Sequence, residues 1–260
     1  MENISGLFDN IPKMPDFNPA AFAEQQVEWE NERIGTLTGY DCPECKNRGH
    51  SAFLSDDNSM VLRECKCLKI RQNIRNIEES GLKYLLERCK FDNFNTAENW
   101  QKFAKQQAMQ YADNPVSWLY VAGQSGAGKT HLCTAICDKL LKAGRKVKYD
   151  LWRELFHSME QRRFDESGYF RLLDEIKNTD VLYIDDFLKS PDKTKVMSML
   201  DSAFEIINAR YNVDGITIIS SEMFIEDIET IDEATAGRIR QKSKFIQIKK
   251  ESGRNYRIRK

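Results

Sequence analysis

The stretch VSWLYVAGQSGAGKTHL, Val116 to Leu132, decides how this chain is read. An apolar run gives way to glycines at 123, 126 and 128, then Lys129 and Thr130, then a helical pattern. This is the G-x-x-x-x-G-K-[ST] phosphate loop, set after a strand and before a helix. Its glycines let backbone amides turn inward around phosphates, and the helix beginning near Gly128 adds the positive end of its dipole. The expected nucleotide-binding residues are therefore Gly123, Gln124, Ser125, Gly126, Ala127, Gly128, Lys129, Thr130 and His131. Lys129 is expected to reach the β- and γ-phosphates of ATP or GTP, with the Thr130 hydroxyl on Mg2+.

Outward from the loop, the pattern alternates between strand and helix. HLCTAICDKLLKAG reads as a helix stopped by Gly144, RKVKYD as a strand, LWRELFHSMEQRR and YFRLLDEIKNT as helices, and VLYIDD as a buried strand. The fold class is thus α/β, a parallel sheet flanked by helices. Four apolar residues in VLYIDD bring Asp185 to the carboxyl edge of the sheet, where it is expected to hold Mg2+. Asp186 stands where a catalytic carboxylate would polarise water. Before the loop, a helix is expected from an N-cap at Thr96, and Phe91 and Phe94 are candidates for either the base pocket or the core.

Nearer the N-terminus, YDCPECKNRGHSAFLSDDNSMVLRECKCLKIRQ carries Cys42 and Cys45 as C-x-x-C, and Cys65 and Cys67 as C-x-C, around a hairpin turning at SDDNS. Each pair offers two thiolates from one tight turn, which suits a small zinc-ribbon-like domain with structural Zn2+. His50 is the alternative ligand to one cysteine. So short a segment cannot bury an adequate core unaided, and structural zinc supplies roughly 10 to 16 kcal/mol of apparent binding energy that becomes folding energy. Ser80-Gly81 ends the basic helical segment that follows, so a small N-terminal region over 1–80 and an ATPase domain over 81–260 are expected.

The chain has 260 residues, 41% of them hydrophobic, and a formal net charge of −1, enough for a sizeable core. No apolar run is long enough for a bilayer span and no secretory leader is evident, so a cytoplasmic protein without membrane contact is expected. Seven cysteines, an odd count, do not read as a disulfide framework. Pro12, Pro15 and Pro19 mark an irregular arm, and PAAFAEQQVEWENERI reads as an amphipathic helix whose Phe22, Val27, Trp29 and Ile34 pack on this chain or on a partner. Glutamates dominate that region, whereas Arg238 to Lys260 is basic; the two ends suit different partners.

The set GQSGAGKTHL, VLYIDD, ITIISSEMFIEDI and ATAGRIRQKS, in this order, resembles the AAA+ ATPase module of the DnaC/DnaI family of replicative helicase loaders, phage-encoded forms included. CPECKNRG and RECKCLKIR resemble the zinc-bearing N-terminal domain of its DnaI-like branch. The resemblance implies an ATP-dependent loader that self-assembles on a DnaB-type hexameric helicase and delivers it onto single-stranded DNA. It implies that Lys129, Thr130 and Asp185 hold the triphosphate and Mg2+, and that Asp186 takes the place of a catalytic Glu. Glu222 falls where relatives carry a polar sensor, with Ser220 and Ser221 as substitutes. Arg238 matches the arginine finger acting on a neighbouring subunit, with Arg240 the near alternative, so that an isolated monomer hydrolyses ATP slowly. For single-stranded DNA, Phe164, Tyr169 and Phe170 lie near Arg162, Arg163 and Arg171, a stacking-plus-charge pattern that helical core packing also explains. The basic tail is a second electrostatic footprint. An IstB-type transposition helper shares the ATPase module and is the alternative, which the cysteine pairs disfavour; a small-molecule kinase would need an arginine-bearing lid that 150–181 does not offer.

Overall fold

Successive residues of a strand face opposite sides, so a strand that is apolar throughout must be covered on both faces. The computed structural model describes residues 18–260 apart from 191, 252, 257, 259 and 260; the arm expected over the first residues lies outside this range as far as residue 17. It divides into two compact units, 1–71 and 72–260.

In the first unit, helix α1 (Pro19–Glu32) precedes the antiparallel hairpin of β1 (His50–Leu54) and β2 (Met60–Glu64), in which His50 pairs with Glu64 and Leu54 with Met60. Helix α2 (Cys67–Glu79) follows. Of the apolar stripe expected on α1, Val27 is half-buried while Phe22, Trp29 and Ile34 are exposed, and Ala23 is the helix's buried residue. Polar groups hold the helix instead. The Asn31 side chain donates to Ala52 O at 2.9 Å and accepts from Ala52 N at 3.0 Å, mimicking a neighbouring strand, and Glu30 accepts from Arg48.

The division between units falls inside α2, not at the expected 80/81 boundary. The later turns of α2 belong to the second unit: Asn76 is buried with Nδ2 on Arg145 O, Ile77 packs on its core, and Ser80 O accepts from Tyr149 N at 2.9 Å.

That second unit continues with α3 (Lys83–Arg88), α4 (Asn99–Asp113), β3 (Trp118–Gly123), α5 (Lys129–Lys142), β4 (Val147–Leu151), α6 (Trp152–Arg162) and α7 (Glu166–Asn178). Then come β5 (Val181–Asp185), α8 (Lys193–Ser198), α9 (Leu200–Tyr211), β6 (Ile216–Ser221), α10 (Ile225–Glu229), α11 (Glu233–Lys242) and β7 (Ser243–Ile248). The start of α4 differs from expectation. Its N-cap is Glu98, whose amide donates to Gln101 Oε1 at 2.8 Å, so the reciprocal side chain sits two residues beyond the one that a Thr96 cap would use.

The five strands are parallel in the order β4-β5-β6-β3-β7. Leu119, Val121, Val181 and Tyr183 point to one face and pack with α4 and α5; Trp118, Tyr120, Leu182 and Ile184 point to the other, against α6, α9 and α11. Strand β6 lies between β3 and β5, so the ends of three adjacent strands deliver the phosphate loop, Ser220 to Glu222, and Asp185 with Asp186 to one sheet edge. At the opposite edge Arg210 is fully buried, where burial pulls its pKa down to about 10. It donates to the carbonyls of Ile176, Lys177, Thr179 and Ile216 at 2.7 to 3.1 Å and to Thr217 Oγ1 at 3.1 Å, ending α7 and aligning β6.

Replacing Arg210 with Met keeps most of the volume but strips donors from buried carbonyls. Urea denaturation of the full chain is expected to read a stability loss of about 3 kcal/mol.

Candidate functional site

Strand β3 ends at Gly123, and the loop 124–128 turns into α5 with Gly126 at φ 71° and Gly128 at φ 87°. A Cβ at Gly128 would also stand 2.8 Å from the Phe94 ring, so this position excludes other residues on two counts. Phe94 is buried beneath the loop and Phe91 packs on the same core, which resolves their alternatives in favour of packing. The cleft above the loop, about 360 Å³, is lined at its outer end by Leu85, Arg88 and Cys89 of the α3 region. Motif reasoning missed these three because α3 is distant in sequence and carries no phosphate-binding signature.

Lys129 is buried, with Nζ on Gln124 O at 3.0 Å; burial lowers its pKa against the opposing pull of Glu222 and Asp186. The His131 ring is within 2.8 Å of Lys90 O through Nε2, and burial lowers its pKa. His131 thus tethers α5 to the chain before α4 while still lining the cleft.

The Thr130 hydroxyl donates to Asp185 Oδ1 at 3.0 Å. Asp185 also accepts from Tyr183 OH at 2.8 Å, from the Ser220 hydroxyl, and from Tyr149 OH at 3.4 Å. Burial raises the Tyr183 pKa far above its usual value, keeping it a donor. A hydroxyl and a carboxylate oxygen side by side beneath a phosphate loop are hard oxygen ligands, and the pair fits a divalent magnesium ion.

Past Asp185 the chain turns sharply, with Asp186 and Leu188 both at φ 55°, a left-handed conformation that costs an ordinary residue energy and is held only by its surroundings. Here the surroundings are β6: Asp186 N donates to Ser220 Oγ at 3.0 Å, Phe187 N to Ser220 O at 2.8 Å, and Ser221 Oγ to Phe187 O at 2.8 Å. Asp186 therefore faces the cleft beside Lys129. Ser220, not Ser221, is the β6 hydroxyl that joins the two residues, through the Asp185 carboxylate and the Asp186 backbone amide, and Glu222 pairs with Lys189 at 2.9 Å. Lys189 carries no motif signature; the turn alone brings it there.

Arg238 lies on α11, away from this cleft. Its guanidinium stacks 4.7 Å from the Phe204 ring centroid and 5.7 Å from that of Tyr211, and Nε donates to Asn208 Oδ1 at 3.1 Å. Arg240 instead pairs with Glu229 at 2.6 Å. Among the aromatics expected near DNA, Phe164 and Phe170 are exposed, whereas Tyr169 packs against the core and reaches Glu205. The described part of the basic tail folds back on the phosphate loop: Glu251 N donates to Gln124 Oε1 at 2.8 Å, Tyr256 N to Gly126 O at 3.2 Å, and Arg254 lies over Trp100.

In the first unit, Cys42, Cys45, Cys65 and Cys67 are all buried, with their sulfurs within 4.8 Å of one another. Cys42 and Cys65 approach to 3.8 Å, Cys45 and Cys67 to 3.4 Å, close to the ~3.8 Å edge of a tetrahedron with Zn–S near 2.3 Å. Gly49 N points at Cys45 Sγ from 3.3 Å, as an amide supporting a thiolate would. His50 is outside this group and meets Glu30 Oε1 at 3.0 Å, so the residues fit zinc through four sulfurs.

A Gly128→Ala replacement is expected to weaken nucleoside triphosphate binding at least about tenfold, because both φ and Phe94 resist the new methyl. Titration of the full chain with a fluorescent triphosphate measures it.

The description IstB-like ATP binding protein belongs to a family model that matches residues 49–260. The phage-like element PBSX protein XkdC of Bacillus subtilis (strain 168) is 29% identical over 213 residues, 77% of this chain and 78% of the relative. Replicative helicase loader DnaC of Escherichia coli (strain K12) is 28% identical over 194 residues, 72% of this chain and 69% of the relative. A crystal structure of the DnaC helicase loader shares the fold, with a TM-score of 0.54 at 20% identity over 63% of this chain and 98% of that one. With a phosphate loop, two acids at the end of β5 and a family match over most of its length, the chain belongs to the IstB-like ATP binding proteins and is a P-loop AAA+ ATPase.

Proposed function

We propose that this ATPase is a replicative helicase loader that binds a DnaB-type hexameric helicase and delivers it onto single-stranded DNA. The observation that carries the reading is the union of two parts in one chain: an ATPase module 28% identical to DnaC and a four-sulfur cluster. Cys42 and Cys45 precede the span matched by the IstB-like model, which begins at residue 49. The second reading is a transposition helper of the IstB type that coats duplex DNA, since the family carries that name as well.

In the loader reading, the 124–128 amides and Lys129 hold the phosphates of ATP, and Thr130 and Asp185 hold Mg2+, which screens phosphate charge when bound. Asp186 accepts a proton from the attacking water. Being one methylene shorter than Glu, it favours slow turnover. Arg238, braced by Phe204, Tyr211 and Asn208, serves as the finger for a neighbouring subunit on the helicase ring. Such a group contributes about 10³ to 10⁵ in rate, so the isolated chain is a poor ATPase. Zn2+ on the four cysteines staples the first unit, which with α1 meets the helicase. Exposed Phe164 and Phe170 suit stacking on single strands, whereas the cleft beside Tyr169 sets Asp201 and Glu205 against Arg163, which is itself paired with Glu160, and is less suited to phosphates. A cytoplasmic setting accords with helices none of which, among the described residues, is long and apolar enough to cross a membrane.

Pull-down with a cognate DnaB-type helicase tests this reading; failure with and without ATP, together with coating of duplex DNA, favours the transposition helper. Arg238→Ala is expected to leave ATP affinity within about twofold while cutting hydrolysis on helicase and single strands by roughly 10³, whereas Lys129→Ala abolishes binding. Loss of hydrolysis in Lys129→Ala alone would refute the finger. Metal analysis of the full chain is expected to find zinc at one ion per chain, absent from Cys65→Ser, whose N-terminal unit loses the roughly 10 kcal/mol that the metal contributes.

A further inference from the structure

Two acids that face the cleft, Asp186 and Glu222, come from different strand ends, and either one alone would oppose an anionic phosphate. Lys189 stands between them, Nζ at 3.0 Å from Asp186 Oδ2 and 2.9 Å from Glu222 Oε1. It is not an incidental surface pair. The left-handed turn at Asp186 and Leu188, pinned to β6 through Ser220 and Ser221, returns the chain so that Lys189 N donates to Asp186 O at 3.0 Å and its side chain re-enters the cleft. Of the other cations lining the cleft, Lys129 is bonded to Gln124 O, and Arg88 lies over Tyr84, with Nη1 3.3 Å from its hydroxyl. Lys129 also acts on both acids across the cleft and Ser125 meets Glu222, but among the described residues lining the cleft Lys189 is the cation in direct contact with both carboxylates.

We propose that Lys189 is a positioning residue of the nucleotide site that orients Asp186, neutralises Glu222 and selects a triphosphate over a diphosphate. A neutral sensor needs no such partner. An acidic residue at the end of β6 does, because a γ-phosphate brought beside unpaired Glu222 would be repelled, whereas a diphosphate ends short of it. The inference rests on the proposed orientation of the triphosphate toward Asp186.

The test measures affinities of the full chain for ADP and for β,γ-methylene ATP, each with Mg2+, in the parent, Lys189→Gln, Lys189→Arg and Lys189→Gln/Glu222→Gln. Lys189→Gln is expected to lose at least about tenfold in affinity for the triphosphate analogue with ADP unchanged within about twofold. Lys189→Arg restores most of the loss, and the double variant recovers much of it because the acid left unpaired has gone. A merely structural lysine would weaken both nucleotides alike and show no recovery in the double variant; either result overturns the proposal, as does a ratio of affinities unchanged in Lys189→Gln. A parent that binds neither nucleotide refutes the nucleotide reading itself, and this inference with it.

Discussion

The Asp185 carboxylate is the point at which the ATPase unit is tied together. It accepts hydroxyls from α5 through Thr130, from its own strand through Tyr183, from β6 through Ser220 and from β4 through Tyr149. A buried carboxylate persists only where donors replace lost water, so each of these elements is held to its neighbours by the requirement to satisfy one anion. The same oxygens that satisfy the fold are those that the proposed site would offer to magnesium. Metal binding would therefore exchange one set of partners for another with little movement of the backbone.

The turn after β5 is the strained counterpart of that anchor. Two left-handed non-glycine positions separated by one residue cost on the order of 1 to 3 kcal/mol each, and they persist because β6 supplies donors and acceptors on both sides. The gain is placement: Asp186 and Lys189 face the cleft while Phe187 and Leu188 go into the core. The strain falls on these residues because a sharply reversed backbone is needed to put two consecutive side chains into the core while both of their flanking neighbours return to the cleft.

The first unit obeys a different constraint. Its hairpin has a fully exposed β2, its helix α1 buries one alanine, and its buried side chains centre on four cysteines. Apolar burial of that extent does not offset the conformational entropy of ordering the segment, which is the physical reason to expect metal ligation. The exposed Trp29, Val61 and Leu62 are what remains when a cluster of four sulfurs, and not a larger hydrophobic core, centres the unit.

Local sequence determined the phosphate loop, the apolar strand ending in Asp185 and Asp186, and the paired cysteines, because each of these depends on spacing within a few residues and on the conformations that glycine, proline and alternating apolar side chains allow. It left open whether His50 joined the cysteines and whether Phe91 and Phe94 lined the cleft, and it set the Glu98 cap two residues early and the domain boundary nine residues late. Those depended on partners far along the chain: Glu30 for His50, the underside of Gly128 for Phe94, Arg145 and Tyr149 for the end of α2. Only the tertiary structure decided that β6 lies between β3 and β5, that Ser220 joins the Asp185 carboxylate to the Asp186 backbone amide and that Lys189 enters the cleft. Strand order is chosen by the packing of the whole sheet, and no short-range pattern encodes it.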